Sequence, residues 1–301
     1  MKILITGGSG LLGSRLCKLF SKEFDVYATY TRNKIDIKGC KFFAADITDI
    51  LKISTLIKKV SPEIIVHAAA LTDVDYCENH QKETWEINVG GTKNIINTCK
   101  EIEARLIFIS TDYVFDGIKG NYSEDDGINP LNYYAKTKAE GERMLKESNL
   151  EYAIARASVI YGWNGPGQRL NFVTWVIDSL KEGKTINVVD DQYNTPTFAD
   201  NGAEALYSIV RKEAYGVYHM TGRECINRYE FAKTIADAFN LDKSNIILAK
   251  TLQLRQSAKR PYNSCLLTSK IESELKHNPF TINEGLKAMK RQKNYKGWLN
   301  G

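Results

Sequence analysis

Two side chains in this sequence are suited to protonating a carbonyl oxygen. Tyr134 and Lys138 are four residues apart on a predicted helix, so both lie on one face of it. A phenol has an ordinary pKa of about 10, and a nearby ammonium lowers that pKa by stabilising the phenolate. Because a general acid is most effective when its pKa is near the working pH, we expect Tyr134 to deliver the proton and Lys138 to tune it.

A third side chain, Thr111, ends a predicted strand 23 residues before Tyr134. We expect its hydroxyl to hydrogen-bond the substrate oxygen, so Thr111, Tyr134 and Lys138 are the candidate catalytic residues. The neighbouring Tyr133 has Thr137 at its own i+4 position and is predicted to point away from Lys138. Tyrosine and lysine at this spacing are common on helices, so the interpretation depends on the elements that precede them.

A glycine-rich turn near the N-terminus could hold the phosphates of a dinucleotide. Residues 6–13 read T-G-G-S-G-L-L-G, between a predicted strand at 2–6 and a predicted helix at 11–22. Gly7 would allow a tight turn, and Gly10 would let the backbone approach the phosphates closely. Gly13 would let the helix pack closely on the strand. The pyrophosphate would lie on the free N–H groups of the helix N-terminus, and a turn without a ligand is the alternative. The expected cofactor contacts here are Gly7, Gly10, Leu11, Leu12 and Gly13.

The spacing of this turn is G-x-x-G-x-x-G, by which the chain resembles the extended short-chain dehydrogenase/reductase superfamily. The resemblance implies a nicotinamide cofactor whose ribose Lys138 could hold. It also implies that Asp46 lies against the adenine, although alone this residue would be interpreted as a turn or helix-capping residue. An alanine-rich strand end is expected beside the cofactor, since small side chains admit either a ligand or a packed helix. The further expected cofactor contacts are Asp46, Ile47, Ala68, Ala69, Ala70, Thr72, Tyr134 and Lys138.

The end of the second predicted strand bears on the choice of nicotinamide cofactor. An acidic residue there hydrogen-bonds the ribose of NAD, whereas a basic residue accommodates the 2′-phosphate of NADP. Residues 29–34 read T-Y-T-R-N-K, with no acid at the strand end. The segment therefore favours NADPH over NADH, with Arg32 as the phosphate contact; a solvated arginine in a loop is the alternative.

Longer motifs indicate which family within this superfamily the chain resembles. They are S-T-D-Y-V-F-D-G at 110–117, P-L-N at 130–132, Y-A-K-T-K at 134–138, D-Q-Y-N-T-P-T at 191–197 and R-P-Y-N-S at 260–264. Together they resemble the dTDP-4-dehydrorhamnose reductase family over nearly the whole chain. The resemblance implies reduction of the C4 ketone of dTDP-4-dehydro-L-rhamnose by NADPH or NADH, giving dTDP-L-rhamnose. The substrate contacts expected on this basis are Thr111, Asp112, Asn171 and Arg260.

One position departs from that family, and a second family shares the motifs. Nucleotide-sugar reductases often carry an aromatic residue against the sugar after the sixth strand, where this chain has Val159, with Ile160, Tyr161 or Trp163 as possible substitutes. The chain also resembles the regulatory β subunit of methionine adenosyltransferase, through residues 235–241 and the Arg-Pro at 260. A cofactor-binding regulatory subunit, or another deoxysugar reductase or epimerase, therefore remains an alternative.

Composition excludes several other classes of protein. The 301 residues include 41 basic and 36 acidic side chains, a net charge of +5 with no dense basic run, so nucleic acid is not an expected ligand. No apolar run approaches the ~20 residues that span a membrane, and the chain begins directly with a strand, so no leader is expected. We expect a cytoplasmic protein with a nucleotide-sugar substrate; its oligomeric state is left open, a homodimer being one option.

The cysteines and histidines show no spacing typical of a metal site. The six cysteines are far apart and include no C-x-x-C, which indicates reduced thiols in a cytosolic protein and not a disulfide framework. No metal is expected. The cysteines are Cys17, Cys40, Cys77, Cys99, Cys225 and Cys265.

Alternating strands and helices must position these groups. The alternation predicts an α/β fold with a doubly wound parallel (Rossmann) sheet and a smaller C-terminal substrate lobe. The predicted division is 1–160 for dinucleotide binding and 161–301 for substrate, with the chain recrossing between them and the ligand cleft in between. Predicted strands are 2–6, 25–30, 40–45, 63–69, 104–110 and 151–157; predicted helices are 11–22, 49–60, 79–101, 132–148, 170–182, 200–212 and one from Asn227 to about Phe239.

Overall fold

The computed structural model describes residues 1–300 and has a central sheet covered by helices on both faces. The strands are β1 (Lys2–Thr6), β2 (Asp25–Tyr30), β3 (Cys40–Ala44), β4 (Ile64–His67), β5 (Arg105–Thr111), β6 (Tyr152–Ala157), β7 (Ile160–Tyr161), β8 (Ile186–Val189), β9 (Tyr193–Asn194), β10 (Thr197–Phe198), β11 (Gly216–Met220), β12 (Ile226–Asn227) and β13 (Ile246–Ala249). The helices are α1 (Leu11–Phe20), α2 (Ile50–Val60), α3 (Val74–Asn79), α4 (Gln81–Trp85), α5 (Gly91–Ile102), α6 (Tyr133–Lys146), α7 (Phe172–Lys181), α8 (Ala199–Arg211), α9 (Arg228–Phe239), α10 (Ser269–Leu275), α11 (Ile282–Arg291) and α12 (Tyr295–Asn300).

Seven strands form the central sheet, in the order β11-β6-β5-β4-β1-β2-β3, and every neighbouring pair is parallel. The strands β1, β4 and β5 are buried along almost their whole length, as is usual when helices cover both faces. The strand order reverses direction between β1 and β4, and ligands of such sheets bind in the crevice at this switch point. The predicted doubly wound α/β fold is confirmed.

The seventh strand of the sheet comes from the second half of the chain. Residues Gly216–Met220 pair with β6 in parallel, and α8 packs on α1. This strand was not among the predicted ones, because a five-residue segment at a sheet edge is defined by its partner more than by its own pattern. Residues on both sides of position 160 therefore build the sheet.

The predicted helix at 79–101 is interrupted. It consists of α4, a π-helical turn over Glu86–Gly90, and α5. The π turn contains Asn88, whose side chain is buried and hydrogen-bonds neighbouring elements. Such single π turns are frequent at functional sites, and hydrophobic periodicity alone does not reveal them.

The remaining residues build a smaller lobe with its own core. Three two-stranded pairs, β7–β10, β8–β13 and β9–β12, are packed with α7, α9 and α11. The core of the lobe includes Phe231, Ile235 and Leu286. Of the helices in residues 1–300, none has the length and apolar character needed to cross a bilayer.

The expectation that all six cysteines are reduced thiols is wrong. Cys225 and Cys265 form a disulfide with their Cα atoms 5.5 Å apart, a separation typical of disulfides. The two residues are 40 positions apart in sequence. The antiparallel pairing of β12 with β9, and a bridge from Tyr193 to Asn263, bring the two cysteine-containing segments together. The spacing of the cysteines in the sequence therefore could not show that they form a disulfide.

Candidate functional site

A cleft of about 680 Å³ lies between the switch point of the sheet and the smaller lobe. One wall is formed by the turn after β1, the residues after β4 and the end of β5. The other wall comes from the turn after β6, the loop before α7 and the start of α9. Of the predicted site residues, the cleft is lined by Gly7, Gly10, Leu11, Leu12, Gly13, Ala68, Ala70, Thr72, Thr111, Asp112, Tyr134, Lys138 and Asn171.

The turn after β1 is too tight for side chains at two of its glycines. Gly7 has φ +69, and a Cβ there would lie 2.9 Å from the backbone of Ala69. A Cβ on Gly13 would lie 2.2 Å from the carbonyl oxygen of Gly7. The backbone of α1 therefore reaches the cleft directly, and no side chain caps the helix at Gly10. Unpaired N–H groups at a helix N-terminus form a natural seat for phosphate, so these residues fit the pyrophosphate of a dinucleotide.

Thr111 and Tyr134 meet in the cleft. Tyr134 lies in the first turn of α6 and is buried. Burial and the charge of Asp112 raise the pKa of the Tyr134 phenol, while the Thr111 hydroxyl lies close enough to oppose that rise. The phenol is thus held in its protonated form at neutral pH. The expected lowering of the Tyr134 pKa by Lys138 is not found: burial is the main influence on the phenol, and the group that opposes it is Thr111.

Lys138 lies one turn further along α6 and is also buried, with its Nζ 4.0 Å from the centre of the Phe108 ring. Burial lowers the pKa of the lysine ammonium to about 7, although Glu142 on the next turn opposes this. Glu142 is itself paired with Arg156 at 2.8 Å. Lys138 therefore makes no ion pair of its own and changes charge near neutral pH. Tyr133 does not line the cleft; its ring packs near Trp85.

A buried hydrogen-bond network connects β1, β4 and the π turn to α6. His67 Nδ1 lies 2.7 Å from the Thr6 hydroxyl, and its Nε2 lies 3.0 Å from the Thr92 hydroxyl. Asn88 Nδ2 donates to the Thr137 hydroxyl at 3.1 Å, and that hydroxyl donates to the carbonyl oxygen of Tyr134. Burial, with the Lys138 charge, lowers the pKa of His67 to about 3, so the ring is neutral. The network fixes the helix that carries Tyr134 and Lys138.

Asp112 borders the cleft, but other protein groups occupy its oxygens. Its Oδ2 accepts hydrogen bonds from Ser264 at 2.5 Å and Ser158 at 2.8 Å, and its Oδ1 accepts one from Thr111 at 3.0 Å. Asn194 approaches Oδ2 at 3.4 Å. Burial raises the pKa of the carboxyl, and these donors oppose the rise. Asp112 therefore joins the Thr111 hydroxyl to three segments from the second half of the chain.

Several predicted cofactor contacts lie outside the cleft lining. Ala69 is packed against Gly7, and Ile47 is buried against Gly91. The exposed Asp46 accepts hydrogen bonds from the backbone and hydroxyl of Thr48. Arg32 is exposed in the loop after β2, next to Asn33, which does line the cleft.

The two other predicted substrate contacts are engaged in structural roles. Asn171 caps α7, with its Oδ1 accepting from the backbone of Val173 and Thr174, and it lines the cleft only as part of that cap. The guanidinium of Arg260 makes two hydrogen bonds to Asp75, at 3.0 and 2.8 Å, and one to the carbonyl oxygen of Ala258. Arg260 does not line the cleft.

The wall beyond β6 is short and strained. Val159 and Ile160 line the cleft, whereas Tyr161 is buried in the core of the smaller lobe and Trp163 donates to the carbonyl oxygen of Met289. Tyr161 and Trp163 therefore do not supply an aromatic face at this wall. Val159 has φ +41, which is unusual for a β-branched residue and is a form of strain that concentrates at functional sites.

Other residues of the cleft were not identified from the sequence as site residues. Arg228, Arg169, Gln168 and Asn33 line it. Gln168 donates to the carbonyl oxygen of Ser9 at 2.8 Å, and Asn33 to that of Gly167 at 2.9 Å. The motifs at 191–197 and 260–264 contain Asn194 and Ser264, so a signal for the Asp112 network was present but could not be assigned without the fold.

Comparisons with known proteins agree with this architecture. The family model described as RmlD substrate binding domain matches residues 1–294. A dTDP-4-dehydrorhamnose reductase from Aggregatibacter actinomycetemcomitans is 34% identical, covering 95% of this chain and 97% of that protein. The crystal structure of a dTDP-4-dehydrorhamnose reductase from Bacillus anthracis in complex with NADP is 30% identical, with a TM-score of 0.86, covering 97% of this chain and 99% of that one.

A second kind of relative is equally similar in sequence. The methionine adenosyltransferase 2 subunit beta of Bos taurus is 34% identical, covering 90% of this chain and 82% of that protein. Overall identity therefore does not separate the two kinds of relative. The family model and the reductase relatives nevertheless show that the chain belongs to the RmlD substrate binding domain family, confirming the predicted dTDP-4-dehydrorhamnose reductase family and the NAD(P)-dependent oxidoreductase class.

Proposed function

We propose that this protein reduces the C4 ketone of a nucleotide deoxysugar, dTDP-4-dehydro-L-rhamnose, with NADPH as the hydride donor. The observation that carries the proposal is the meeting of Thr111, Tyr134 and Lys138 in one cleft beside the glycine turn. A protein that only binds the cofactor has no need for a buried phenol, a threonine hydroxyl and a lysine at the same place.

The cofactor would lie along the switch point, with its pyrophosphate on the N-terminus of α1. When bound, it supplies the hydride that reduces the carbonyl carbon. Lys138 would hold its ribose. We favour NADPH over NADH because no acidic residue ends β2 and Arg32 follows it; the NADP complex of the Bacillus anthracis relative supports this choice.

The side chains then act on the carbonyl oxygen. The Thr111 hydroxyl, which donates to Asp112 in this structure, would turn its one proton to this oxygen beside the Tyr134 phenol, and Tyr134 gives its proton as charge develops there. Because burial keeps Tyr134 protonated, the residue is ready to act as an acid. The Lys138 ammonium stabilises the phenolate that remains. Asp112, held by Ser158 and Ser264, keeps the Thr111 hydroxyl in position.

The direct test is NADPH oxidation by the purified protein with a series of nucleotide ketosugars. We expect dTDP-4-dehydro-L-rhamnose to be consumed with formation of dTDP-L-rhamnose. If no nucleotide ketosugar is reduced although NADPH binds, the proposal fails.

The 34% identity to the Bos taurus subunit supports a second candidate. A regulatory subunit would form a tight complex with a methionine adenosyltransferase catalytic subunit and would turn over no sugar. Affinity purification of the tagged protein from its native cells, followed by mass spectrometry, separates the two candidates. We further propose a cytoplasmic location, because NADPH is available there, although disulfides such as Cys225–Cys265 are uncommon in that compartment. A homodimer stays a prediction that sedimentation would test.

A further inference from the structure

The charged side chains that line the cleft are mostly paired. Arg169 forms an ion pair with Asp73, and Asp112 is held by the donors described above. Lys138 and Arg228 are different, because neither side chain makes an ion pair or hydrogen bond with another residue in the described range 1–300. The cleft thus offers two unpaired cations and no unpaired anion, a balance that favours an anionic ligand.

Arg228 is fixed in place by its surroundings. It is the first residue of α9, and its backbone N–H donates to the carbonyl oxygen of Gln192 at 3.1 Å. Its guanidinium lies 4.9 Å from the centre of the Phe172 ring, and that ring stacks on Phe231. A guanidinium stacked on a ring keeps the N–H groups at its edge free for hydrogen bonds in its own plane.

Helix stability does not explain an arginine at this position. A cation at a helix N-terminus opposes the helix dipole, and α9 is already capped by Asn227, whose Oδ1 accepts a hydrogen bond from the backbone N–H of Glu230. The charge of Arg228 instead reaches the reaction centre, since it contributes to lowering the pKa of Asp112 against the effect of burial. Arg228 therefore lies on the wall of the smaller lobe, within range of the Asp112–Thr111 pair.

The arginine expected from the sequence is already occupied by protein partners. Arg260 already has two hydrogen bonds to Asp75 and one to the carbonyl oxygen of Ala258. A ligand phosphate would have to displace Asp75, whereas at Arg228 it displaces no protein partner.

We propose that Arg228 is a specificity-determining residue that binds the phosphate next to the sugar of a nucleoside diphosphate sugar. This inference rests on the proposed function for the substrate class. The pyrophosphate of the cofactor is expected at the other wall, on α1, so each anion has its own site. Arg228 holds the sugar end of the substrate against the short wall at Val159, with the carbonyl directed to Thr111 and Tyr134.

The test compares two probes, dTDP and thymidine, binding to the NADP⁺-saturated protein by calorimetry. Arg228→Gln removes the charge and keeps a polar side chain of similar length. We expect it to weaken dTDP binding about ten- to hundredfold, the range for a hydrogen bond to a charged group, with thymidine and NADP⁺ unaffected. Arg228→Lys recovers part of the affinity, because it keeps the charge but not the planar fork. In turnover, KM rises more than kcat falls.

The matched control is Arg211→Gln, on the surface of α8, where Arg211 pairs with Glu23; it leaves dTDP binding unchanged. The proposal is overturned if Arg228→Gln binds dTDP within twofold of the parent protein, or weakens thymidine equally. It is also overturned if the parent protein binds neither dTDP nor inorganic pyrophosphate. If dTDP binding depends on Arg228 but no ketosugar is reduced, the proposed function fails and the phosphate site stands.

Discussion

The two walls of the cleft are built in different ways. The cofactor wall comes from one continuous stretch, β1 through α1, together with the end of β4, and it presents mainly backbone groups. The wall proposed for the substrate comes from separate segments, around Val159, Asn171 and Arg228. Distant segments also hold Asp112, through Ser158, Asn194 and Ser264. Backbone groups at a glycine turn depend on local sequence, whereas a wall of side chains depends on the packing of distant segments. Substitutions at the glycine-turn wall should therefore alter cofactor binding, and substitutions at the side-chain wall should alter substrate binding.

The strongest loss of turnover is expected from a change in α6, the helix that carries Tyr134 and Lys138. Tyr134→Phe removes the proton donor and keeps the ring, so folding and NADPH affinity should be preserved. Turnover should fall about 10²–10⁴-fold, the usual contribution of general acid catalysis. Tyr133→Phe is the matched control and should leave turnover nearly unchanged. If Tyr133→Phe abolished reduction and Tyr134→Phe did not, the assignment of the helix face would be wrong.

Loss of the disulfide should affect the substrate wall alone. Cys225 lies three residues before Arg228, and Cys265 follows Ser264. Cys225→Ser should lower the free energy of unfolding by about 2–4 kcal/mol, the usual contribution of a disulfide, and raise KM for the sugar without changing NADPH affinity. Thermal melts and steady-state kinetics measure these changes. Cys40→Ser, a free thiol in the first half of the chain, should cost less stability and leave KM unchanged. An equal loss in both variants would show that the disulfide has no special role.

The pH dependence should report the charge of Lys138. Since burial lowers the pKa of Lys138 to about 7, the ammonium is present below that pH and lost above it. Tyr134 stays protonated across this range, because its pKa is raised. The value of kcat/KM, which follows ionisation of the free enzyme, should therefore be level at acidic pH and fall as pH rises above about 7. Lys138→Met should abolish this dependence and lower activity at all pH values. A profile that is flat up to pH 9 in the parent protein would contradict this role for Lys138.

A small change in cofactor preference is expected from Arg32, in the loop after β2. Arg32 is exposed, so its interaction with a phosphate is screened by solvent. Arg32→Ala should reduce the preference for NADPH over NADH about two- to fivefold, in line with exposed ion pairs. Binding titrations with both cofactors measure this ratio. Equal affinities for NADPH and NADH in the parent protein would exclude the predicted preference.

The sequence was most informative where one segment makes both the structure and the chemistry. The strand at 2–6 and the helix at 11–22 were predicted with nearly correct bounds, because a buried strand, a glycine turn and an amphipathic helix each have a local pattern. The spacing of Tyr134 and Lys138 similarly needed only the helical repeat to bring both side chains to the cleft.

Where a residue's contacts depend on a distant partner, the sequence showed less. Arg260 stays a predicted substrate contact, but no local pattern indicated that Asp75 holds its guanidinium in this structure. The effect of burial on Tyr134 was likewise hidden, because the pKa depends on how much water the surrounding elements exclude.

The alternation of strands and helices, the glycine turn and the placement of Tyr134 and Lys138 on one helix face could all be read from the amino-acid sequence, since each has a pattern in local segments of the chain. The folded chain was needed to show that Gly216–Met220 completes the sheet, that Cys225 joins Cys265, and that Arg228 lines the cleft while Arg260 is held by Asp75. These features are contacts between segments that are distant in sequence, the two cysteines being 40 residues apart. The free energy of such contacts depends on the packing of the whole chain and is not visible in any local pattern.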